Sequence, residues 1–356
     1  MNHSTKGKEN VDFASVIIIQ DYMENITLTI SIAAYNVEDS IGTTLNSLVV
    51  PKEYENKIEV IVVNDGSTDC TAEVANKFCE EHSSYIRLIN KENGGYGSTI
   101  NTSFKIAQGK YYKQLDAGDT YNTKALVQFI DYLDNCQSDI VITPYEKYYV
   151  NTSQIKLEDA HPGIGGESCD ISNIDLGEDI LMHEMAFRKD LMRGKDFAIT
   201  ERCFYTDNEY TFLPLMEAHT ISRFNLPIYR YYLGVEGQSV SVQGMRKHYE
   251  DTKKVAFKLY DLYIKNLDKL KSKGTLKFLM QEKICKISDV LYSSYMLQKN
   301  NSAKKELISI DKEIKINYPI IFELINPIKK IRFLHITRFS AYGLQCLVVE
   351  TKIKKN

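Results

Sequence analysis

The sequence predicts an α/β protein with a central, mainly parallel sheet and a helical C-terminal extension. In the first half of the 356-residue chain, short β-branched apolar runs alternate with helical stretches of about ten residues. The run IEVIVV (58–63) is nearly all apolar, as expected of a central strand covered on both faces. From about residue 246 to 305 the periodicity is helical and rich in polar residues. The chain is long enough for one large domain plus a smaller extension.

The first half is expected to form βαβ units with right-handed crossovers. The predicted strands cover 28–33, 58–63, 85–89, 111–115 and 139–143, and the predicted helices cover 40–49, 71–81, 98–107 and 123–133. The region after residue 145 is less regular. There the sequence predicts a loop at 161–168 (HPGIGGES), a helical piece at 180–193, an apolar helical run after YTDNEY (205–210) and a short strand at 227–233.

Composition excludes several classes of protein. The net charge of −3 argues against a general nucleic-acid binder, which needs a basic surface to meet phosphates. Seven cysteines without C-x-x-C spacing fit a reducing cytosol better than a disulfide framework or a zinc site. We find no run of apolar residues long enough to span a membrane, and we expect a cytoplasmic protein.

Polar residues follow four successive predicted strands. The segments are AAYN (33–36), NDGSTD (64–69), NKENGGYGSTIN (90–101) and DAGD (116–119). In an open parallel sheet, ligands bind at the carboxyl ends of the strands. Each segment alone could be a turn, with Ser67, Thr68 or Ser98 capping the next helix. Four together indicate a lined cleft.

The order and spacing of these segments resemble the nucleotide-sugar domain of family 2 inverting glycosyltransferases, which have the GT-A fold. The resemblance is strong over about 28–145 and continues more weakly to about 241. It implies a glycosyltransferase domain at 27–245, with a nucleotide-sugar half (27–145) and an acceptor half (146–245). An N-terminal extension (1–26) precedes it and a helical region (246–356) follows.

The resemblance also implies roles for individual residues. Tyr35 would stack on the base beside Ala34, Asp65 would accept the base imide N–H, and the loop from Asn93 to Ser98 would close over base and ribose. The residues implied to bind the nucleotide sugar, probably in UDP form in this family, are Ala34, Tyr35, Asn36, Glu38, Asp65, Asn93, Gly94, Gly95, Ser98 and Asp116.

Asp116 and Asp119 are the implied ligands of Mn²⁺ or Mg²⁺, hard cations that take oxygen ligands. Family members usually read D-x-D, with the second aspartate binding the metal, whereas this chain has Gly118 at that position. Three alternatives follow. Asp119 shifts inward, Asp116 alone holds a weakly bound ion, or metal-dependent activity has been lost.

Inverting transfer needs a carboxylate to take the proton of the acceptor hydroxyl. The family's acidic motif matches YTDNEY, which places Asp207 as the base and Glu209 as its alternative. Glu178-Asp179 has the family's usual spelling but lies earlier in the chain. A polar helix start with Asp207 as the N-cap is the non-catalytic interpretation.

Two later segments carry basic residues that suit phosphate groups or lipid. Residues 237–241 (GQSVS), followed by Arg246, Lys247 and His248, resemble a loop that closes over the diphosphate. The tail at 328–356 mixes basic and apolar residues, so it either packs on the main domain, forms an oligomer contact, or contacts the inner face of the cell membrane peripherally.

The resemblance implies inverting transfer of a sugar from a UDP-sugar to a glycan or lipid-linked acceptor, in bacterial surface polysaccharide assembly. The alternative is a non-catalytic nucleotide-sugar-binding module on a degraded scaffold, which only Gly118 supports. A nucleotidyltransferase is disfavoured because AAYNVEDS offers no Gly, Lys or Arg to hold a triphosphate.

Overall fold

The computed structural model describes residues 26–174, 176–234, 241–271 and 274–353. Within the first half, strands and helices alternate as β1 (Leu28–Ala34), α1 (Glu38–Asn46), β2 (Ile58–Asn64), α2 (Thr71–Glu81), β3 (Ile86–Asn90), α3 (Tyr96–Ile106), β4 (Tyr111–Asp116), β5 (Thr120–Tyr121), α4 (Thr123–Asn135) and β6 (Ile140–Ile142). The predicted helix at 71–81 is confirmed residue for residue, and the others agree to within three residues at each end.

The second half begins with short strands and ends in helices. Its elements are β7 (Tyr145–Tyr149), β8 (Gln154–Glu158), β9 (Cys169–Asp170), β10 (Met185–Arg188), α5 (Asp207–Glu217), β11 (Thr220–Arg223), β12 (Tyr229–Leu233), α6 (Val242–Lys247), α7 (Tyr249–Lys265), α8 (Leu267–Leu270), α9 (Gly274–Leu297), α10 (Asn301–Asn317), α11 (Pro319–Ile325), α12 (Lys329–Ile336) and α13 (Tyr342–Ile353). The predicted helical C-terminal region is therefore confirmed.

The central sheet has the strand order β3-β2-β1-β4-β10-β6-β11-β9. The first four strands are parallel, and β10 is inserted antiparallel between β4 and β6. The register of the parallel strands aligns their carboxyl ends, since Ala34 lies opposite Asn64 and Ala33 lies opposite Asp116. All the polar segments predicted to form the cleft therefore meet at one edge of the sheet.

Alternate residues of each central strand enter two different cores. In β2, Val60 and Val62 pack with α1 and α4, while Ile61 and Val63 pack on the face that also holds α3 and α5. The C-terminal helices α7 and α9 join this second core. Burial on both faces explains why β2 is almost entirely apolar, with Glu59 and Asn64 as the exceptions.

A smaller sheet, ordered β5-β12-β7-β8, lies beside the carboxyl end of β4. Strand β12 pairs with the two-residue strand β5, which directly follows the Asp116–Asp119 turn. Tyrosines dominate β7 and β12. This sheet brings the Tyr229 hydroxyl to the acidic turn, where it contacts Asp119.

The helical piece predicted at 180–193 is wrong. Residues Met185–Arg188 form strand β10, followed by a short 3₁₀ turn at Lys189–Met192. Met185, Ala186 and Phe187 are all buried between β4 and β6, and the gain from completing the sheet outweighs a helical pattern. In the part of the chain that the structure describes, no helix is long and apolar enough to cross a membrane.

Candidate active site

The loops after β1 and β2 are cross-linked by their polar side chains. The Asn36 amide N–H donates to Ser67 Oγ (3.0 Å), and the Thr68 N–H donates to Asn36 Oδ1 (2.8 Å). The Cys70 N–H donates to Glu38 Oε2 (2.8 Å). Asn36 and Glu38, both implied to bind nucleotide, therefore also fix the shape of this rim of the sheet.

Asp65 anchors the glycine-rich loop that follows β3. Its carboxylate accepts the N–H groups of Gly94 (2.9 Å) and Gly95 (2.7 Å) and lies 2.7 Å from the Lys91 ammonium. The side chain is almost fully buried, at 3% exposure, yet it borders the cavity described below. Asp65 thus shapes the loop predicted to close over the nucleotide.

The same loop opens helix α3, which begins at Tyr96 with Gly95 in the N-cap position. Ser98 is not the helix cap, because its hydroxyl donates to the Gly95 carbonyl (2.7 Å) from inside the first turn. A side chain at Gly97 would place Cβ 2.1 Å from the Thr200 carbonyl oxygen. The segment around residue 200 can therefore pack directly on this turn only because position 97 is glycine.

A cavity of about 740 Å³ opens at the carboxyl ends of β1, β2 and β4. The strand-end residues that line it include Ala34, Tyr35, Asp65, Asn93, Gly95, Tyr96 and Asp116. The opposite wall comes from the second half of the chain, with Arg202, Phe204, Lys247 and His248. Tyr35 is half exposed, at 50%, and its ring is available to a planar ligand.

A second cavity, of about 820 Å³, shares Val37, Asp116 and Ala117 with the first. It continues past Gly118 and Asp119 to the tyrosines Tyr231 and Tyr232 of β12. Asp116 therefore lies at the junction of two adjoining spaces, one with an aromatic ring and an anchored loop, the other with carboxylates and tyrosines. This junction suits a substrate with one part in each cavity, so that the bond joining the two parts lies beside Asp116.

Asp116 is held by Tyr96, whose hydroxyl donates to Asp116 Oδ1 at 2.5 Å. Burial raises the pKa of Asp116 to about 6, the Tyr96 hydrogen bond opposes this increase, and the Asp207 carboxylate adds to it. Its other carboxylate oxygen, Oδ2, accepts no hydrogen bond from the described residues. Asp116 is the freer of the two carboxylates for a cation.

Asp119 turns toward the smaller sheet. Its Oδ2 accepts the Tyr229 hydroxyl (2.6 Å) and its Oδ1 accepts the Tyr232 N–H (2.9 Å). Burial, together with the nearby Asp116 charge, raises the pKa of Asp119 to about 8. Two adjoining carboxyl groups whose pKa values are raised in this way favour a bound cation, which would stabilise their charged forms.

These residues fit a divalent ion held mainly by a substrate. Among the described residues, no group of three or more His, Cys, Asp or Glu side chains could hold a metal. Asp116 would be the direct ligand, with Asp119 beside it. Mg²⁺ and Mn²⁺ sites in nucleotide enzymes often take one or two carboxylates plus phosphate oxygens and water.

Gly118 has a φ of +139°, a conformation that residues with a side chain rarely adopt. Its N–H donates to Thr44 Oγ1 (3.0 Å), and the Thr44 hydroxyl in turn donates to the Asp119 carbonyl (2.8 Å). Helix α1 thus clamps the turn between the two aspartates. Glycine at this position is a requirement of this turn, and it is where the chain departs from D-x-D.

Asp207 begins helix α5, and its side chain is accessible to solvent. It does not line either cavity, but its charge raises the pKa of Asp116 and of Tyr96, so it lies close to both. Surrounding protein atoms raise the pKa of Asp207 itself, and Lys283 opposes the increase. A raised pKa makes a carboxylate a stronger base, which is compatible with proton removal.

The two alternative bases are engaged in buried ion pairs. Glu209 is fully buried, its carboxylate 2.7 Å from the Lys258 ammonium, and it also accepts the Thr200 N–H (2.7 Å). Asp179 is buried and lies 2.7 Å from the Lys283 ammonium. Both carboxylates are paired with lysines within the packing around α5, so Asp207 is the one of the three candidate bases that is open to solvent.

The basic residues after the 237–241 loop divide into two groups. Lys247 and His248 line the first cavity, where the His248 ring stacks on Phe204 with ring centroids 3.4 Å apart. Arg246 instead donates to the Leu297 carbonyl (3.0 Å) and lies 3.3 Å from Glu350. Residues 237–240 of the loop lie outside the described residues.

Sequence reasoning missed the tyrosines that surround the acidic turn. Tyr96 lies inside NGGYGS, where the resemblance implies roles for Asn93, the glycines and Ser98 but none for the tyrosine. Tyr229 belongs to PIYRYYL and reaches Asp119 across 110 residues of chain. The density of tyrosine in that strand was a usable signal, but its pairing with β5 required the fold.

Strand order, the inserted β10 and the position of the cavity define a GT-A fold. In agreement, residues 29–203 match the model of the family described as Glycosyl transferase family 2. The chain therefore contains a domain of glycosyl transferase family 2.

Similar proteins extend this result. A poly(ribitol-phosphate) beta-glucosyltransferase of Bacillus spizizenii is 32% identical over 118 residues, which are 32% of this chain and 18% of that protein. The uncharacterized glycosyltransferase MG025 homolog of Mycoplasma pneumoniae is 35% identical over 99 residues, 27% of this chain and 33% of that one. The chain thus spans a third or less of the length of these two relatives.

A solved structure, S. aureus TarS 1-349 in complex with UDP-GlcNAc, is similar over almost the whole chain. The similarity has a TM-score of 0.65 and 19% sequence identity, and it covers 93% of this chain and 92% of that one. At this identity the likeness establishes the fold. It extends to the C-terminal helices, beyond the residues matched by the family model.

Proposed function

We propose that this protein transfers a sugar from a nucleoside diphosphate sugar, in the UDP-linked form, to a hydroxyl acceptor with inversion. One observation carries the proposal. A single cavity brings together an accessible aromatic ring at Tyr35, the anchored Asp65 loop and the Asp116 carboxylate, and the charge of Asp207 reaches Asp116. These are the parts that donor binding and proton removal require.

The donor would occupy the first cavity with its base at Tyr35 and Asp65. The Tyr35 ring offers a stacking surface, and the Asp65 carboxylate offers an acceptor for a base N–H. Lys247 and Arg202, on the opposite wall, are cations suited to diphosphate oxygens. The sugar would then lie at the Asp116 junction, next to the second cavity.

A divalent cation, Mn²⁺ or Mg²⁺, would be held by Asp116 with Asp119 beside it. When bound, it offsets the negative charge on the leaving diphosphate. The Tyr96 hydroxyl donates to Asp116 and the Tyr229 hydroxyl donates to Asp119, so each carboxylate is held by one tyrosine. Because Tyr96 stabilises the charged form of Asp116, this carboxylate is available to a cation at neutral pH.

Asp207 would remove the proton from the acceptor hydroxyl. Its raised pKa and its proximity to Asp116 support this assignment over Glu209 and Asp179, whose carboxylates are neutralised by lysines. The acceptor would approach the sugar from the side on which α5 lies. This side would be opposite the diphosphate, as inversion demands. A single carboxylate acting on the hydroxyl is sufficient for such a reaction.

The acceptor is proposed to be a glycan or a lipid-linked glycan of a bacterial cell surface, with the transfer occurring in the cytoplasm. The names of two similar proteins support this setting, since one is a poly(ribitol-phosphate) beta-glucosyltransferase and another was crystallised with UDP-GlcNAc. A hexose or an N-acetylhexosamine is the corresponding class of transferred sugar.

Calorimetric titration with UDP, followed by a hydrolysis and transfer assay with a panel of UDP-sugars with and without Mn²⁺, tests the proposal. Tyr35→Ala should weaken UDP binding about tenfold through lost stacking. Phe278→Ala, an aromatic that is 40% exposed outside the cavity, is the matched control and should bind normally. Absence of UDP binding would overturn the proposal. UDP binding without turnover of any donor would favour the non-catalytic module.

A further inference from the structure

The outer faces of α12 and α13 expose a set of large apolar side chains that the fold does not use. Ile336 is 71% exposed, Leu344 60%, Leu347 57% and Val348 52%. Single exposed apolar residues are ordinary, but four within thirteen residues of chain form a surface feature. We call this surface, completed by Lys329 and Arg332, the α12–α13 outer face.

Helical spacing places these residues in two stripes. Lys329, Arg332 and Ile336 follow one another at intervals of three and four residues along α12. On α13, Leu347 and Val348 follow Leu344 by three and four residues, so all three lie on one side of that helix. Each helix therefore presents one narrow outward stripe, basic and apolar on α12 and apolar on α13.

The inner faces of the two helices are occupied by the protein core. Ile331 and Leu334 of α12, and Cys346 and Val349 of α13, are at most 4% exposed. Helix α13 packs against α9. One side of each helix therefore packs against the rest of the fold, as in the sequence-based alternative of a packed tail. The outer side of each helix is left available.

The charge around the outer face is positive. Lys329, Arg332, Arg338 and Lys352 are exposed. Between residues 329 and 353 the one acidic residue is Glu350, and it is paired with Arg246 and Lys299. No carboxylate of α12 or α13 is therefore left to offset these four cations.

We propose that the α12–α13 outer face docks on an anionic lipid bilayer, with the apolar side chains entering the headgroup boundary and the basic residues meeting lipid phosphates. Interfacial helices of this kind combine apolar insertion with attraction to anionic lipid. A second copy of the chain fits less well. In a two-fold dimer the same patch faces itself, which would bring these cations toward one another.

The docking face is linked to the candidate active site. Glu350 of α13 lies 3.3 Å from Arg246 of α6, and the next residues, Lys247 and His248, line the donor cavity. Helix α13 and the six-residue helix α6 would therefore separate a bilayer under α13 from that cavity. A lipid-linked acceptor could reach the enzyme from the surface on which the enzyme rests.

Co-sedimentation of the full chain with vesicles tests the inference. Vesicles of phosphatidylglycerol and phosphatidylcholine should bind the protein, pure phosphatidylcholine vesicles should bind it weakly, and binding should fall with added salt. Lys329→Gln with Arg332→Gln should weaken binding about fivefold for each cation lost, because this is the usual contribution of a basic residue near an anionic membrane. Leu344→Glu with Leu347→Glu should abolish binding.

The control is Leu157→Glu, which changes a leucine of similar exposure (54%) on β8. It should leave vesicle binding unchanged, and melting temperatures should show that every variant is folded. Equal binding to both kinds of vesicle, or equal losses in the control and the leucine pair, would overturn the inference. A protein that does not bind vesicles would also overturn it, if that protein sediments as a dimer and Leu344→Glu with Leu347→Glu converts the dimer to a monomer.

Discussion

The Tyr96 hydroxyl lies 2.5 Å from Asp116 Oδ1, and this contact joins the glycine-rich loop to the acidic turn at the end of β4. Tyr96 directly follows Gly94 and Gly95, whose N–H groups are held by Asp65. One short segment therefore connects the proposed base-binding carboxylate to the proposed cation-binding carboxylate. A ligand bound at Asp65 would therefore affect the position of the Asp116 carboxylate through this segment.

Tyr96→Phe should weaken cation use without unfolding the protein. The hydroxyl opposes the rise in the pKa of Asp116, so its loss should move that pKa above about 6 and shift the acidic limb of the activity profile to higher pH. A hydrogen bond to a charged group contributes about 1.5–3 kcal/mol, so the Mn²⁺ concentration needed for half-maximal activity should rise by about tenfold or more. Activity measured against pH and against Mn²⁺ concentration tests this.

Tyr132→Phe is the matched control for that substitution. Its hydroxyl also makes side-chain and backbone hydrogen bonds, to Ser222 and Gly166, but away from both cavities. It should change neither the pH profile nor the Mn²⁺ dependence. An unshifted profile in Tyr96→Phe would mean that the hydroxyl does not tune Asp116.

Asp207→Asn and Glu209→Gln should separate catalysis from stability. Loss of a general base typically lowers kcat about 10²–10⁴-fold, and Asp207 is solvent-accessible, so UDP affinity and melting temperature should hardly change. Glu209→Gln leaves the partly buried Lys258 without its partner and should cost about 3–5 kcal/mol of stability. Kinetics, calorimetry and thermal melting on both variants provide the comparison. A normal kcat in Asp207→Asn would exclude it as the base.

Gly118→Asp, which restores the family's D-x-D spelling, should not increase activity. The φ of +139° at Gly118 is unfavourable for aspartate and should cost about 1–3 kcal/mol, seen as a lower melting temperature. Gly163→Asp, in open space without positive φ, is the control and should be neutral. A large gain in turnover at unchanged stability would show instead that Asp116 and Asp119 do not suffice.

The sequence was most informative where local pattern and tertiary context agree. Strand β2 and helix α2 could be placed because a doubly covered strand is apolar throughout and a surface helix has one apolar face. Strand β10 could not, because its four residues owe their conformation to the gap between β4 and β6. The intrinsic strand propensity of these four residues gives no information about that gap.

The candidate site shows the same division. Asp65, Asp116 and Asp119 follow strands directly, and parallel topology fixes where they meet. Contacts between distant segments, such as Tyr229 with Asp119 or Lys258 with Glu209, depend on the smaller sheet and on α7. The sequence therefore predicts which carboxylates lie together at this candidate site, while the groups that position or neutralise them are visible only in the fold.

Lys113→Met should change how stability depends on pH. Lys113 is fully buried in β4, where its ammonium donates to the His183 carbonyl (2.8 Å). Burial lowers its pKa to about 7, and the nearby Glu184 opposes the decrease. In the unfolded chain a lysine has a pKa of about 10.4. Between these two values the unfolded state binds more protons than the folded state, so this residue makes the free energy of unfolding rise with pH.

The cost of burying this lysine is thus fully present below pH 7 and is relieved as the pH approaches 10. Relative to Lys113→Met, the wild type should gain stability over that window, by at most about 1.4 kcal/mol per pH unit. Urea denaturation of both proteins from pH 6.5 to about 9.5 measures the difference, in which the tyrosines and cysteines common to both cancel. Lys52→Met, at an exposed position, should run parallel to the wild type. Parallel curves for Lys113→Met as well would mean that Lys113 stays charged inside the fold, balanced by Glu184.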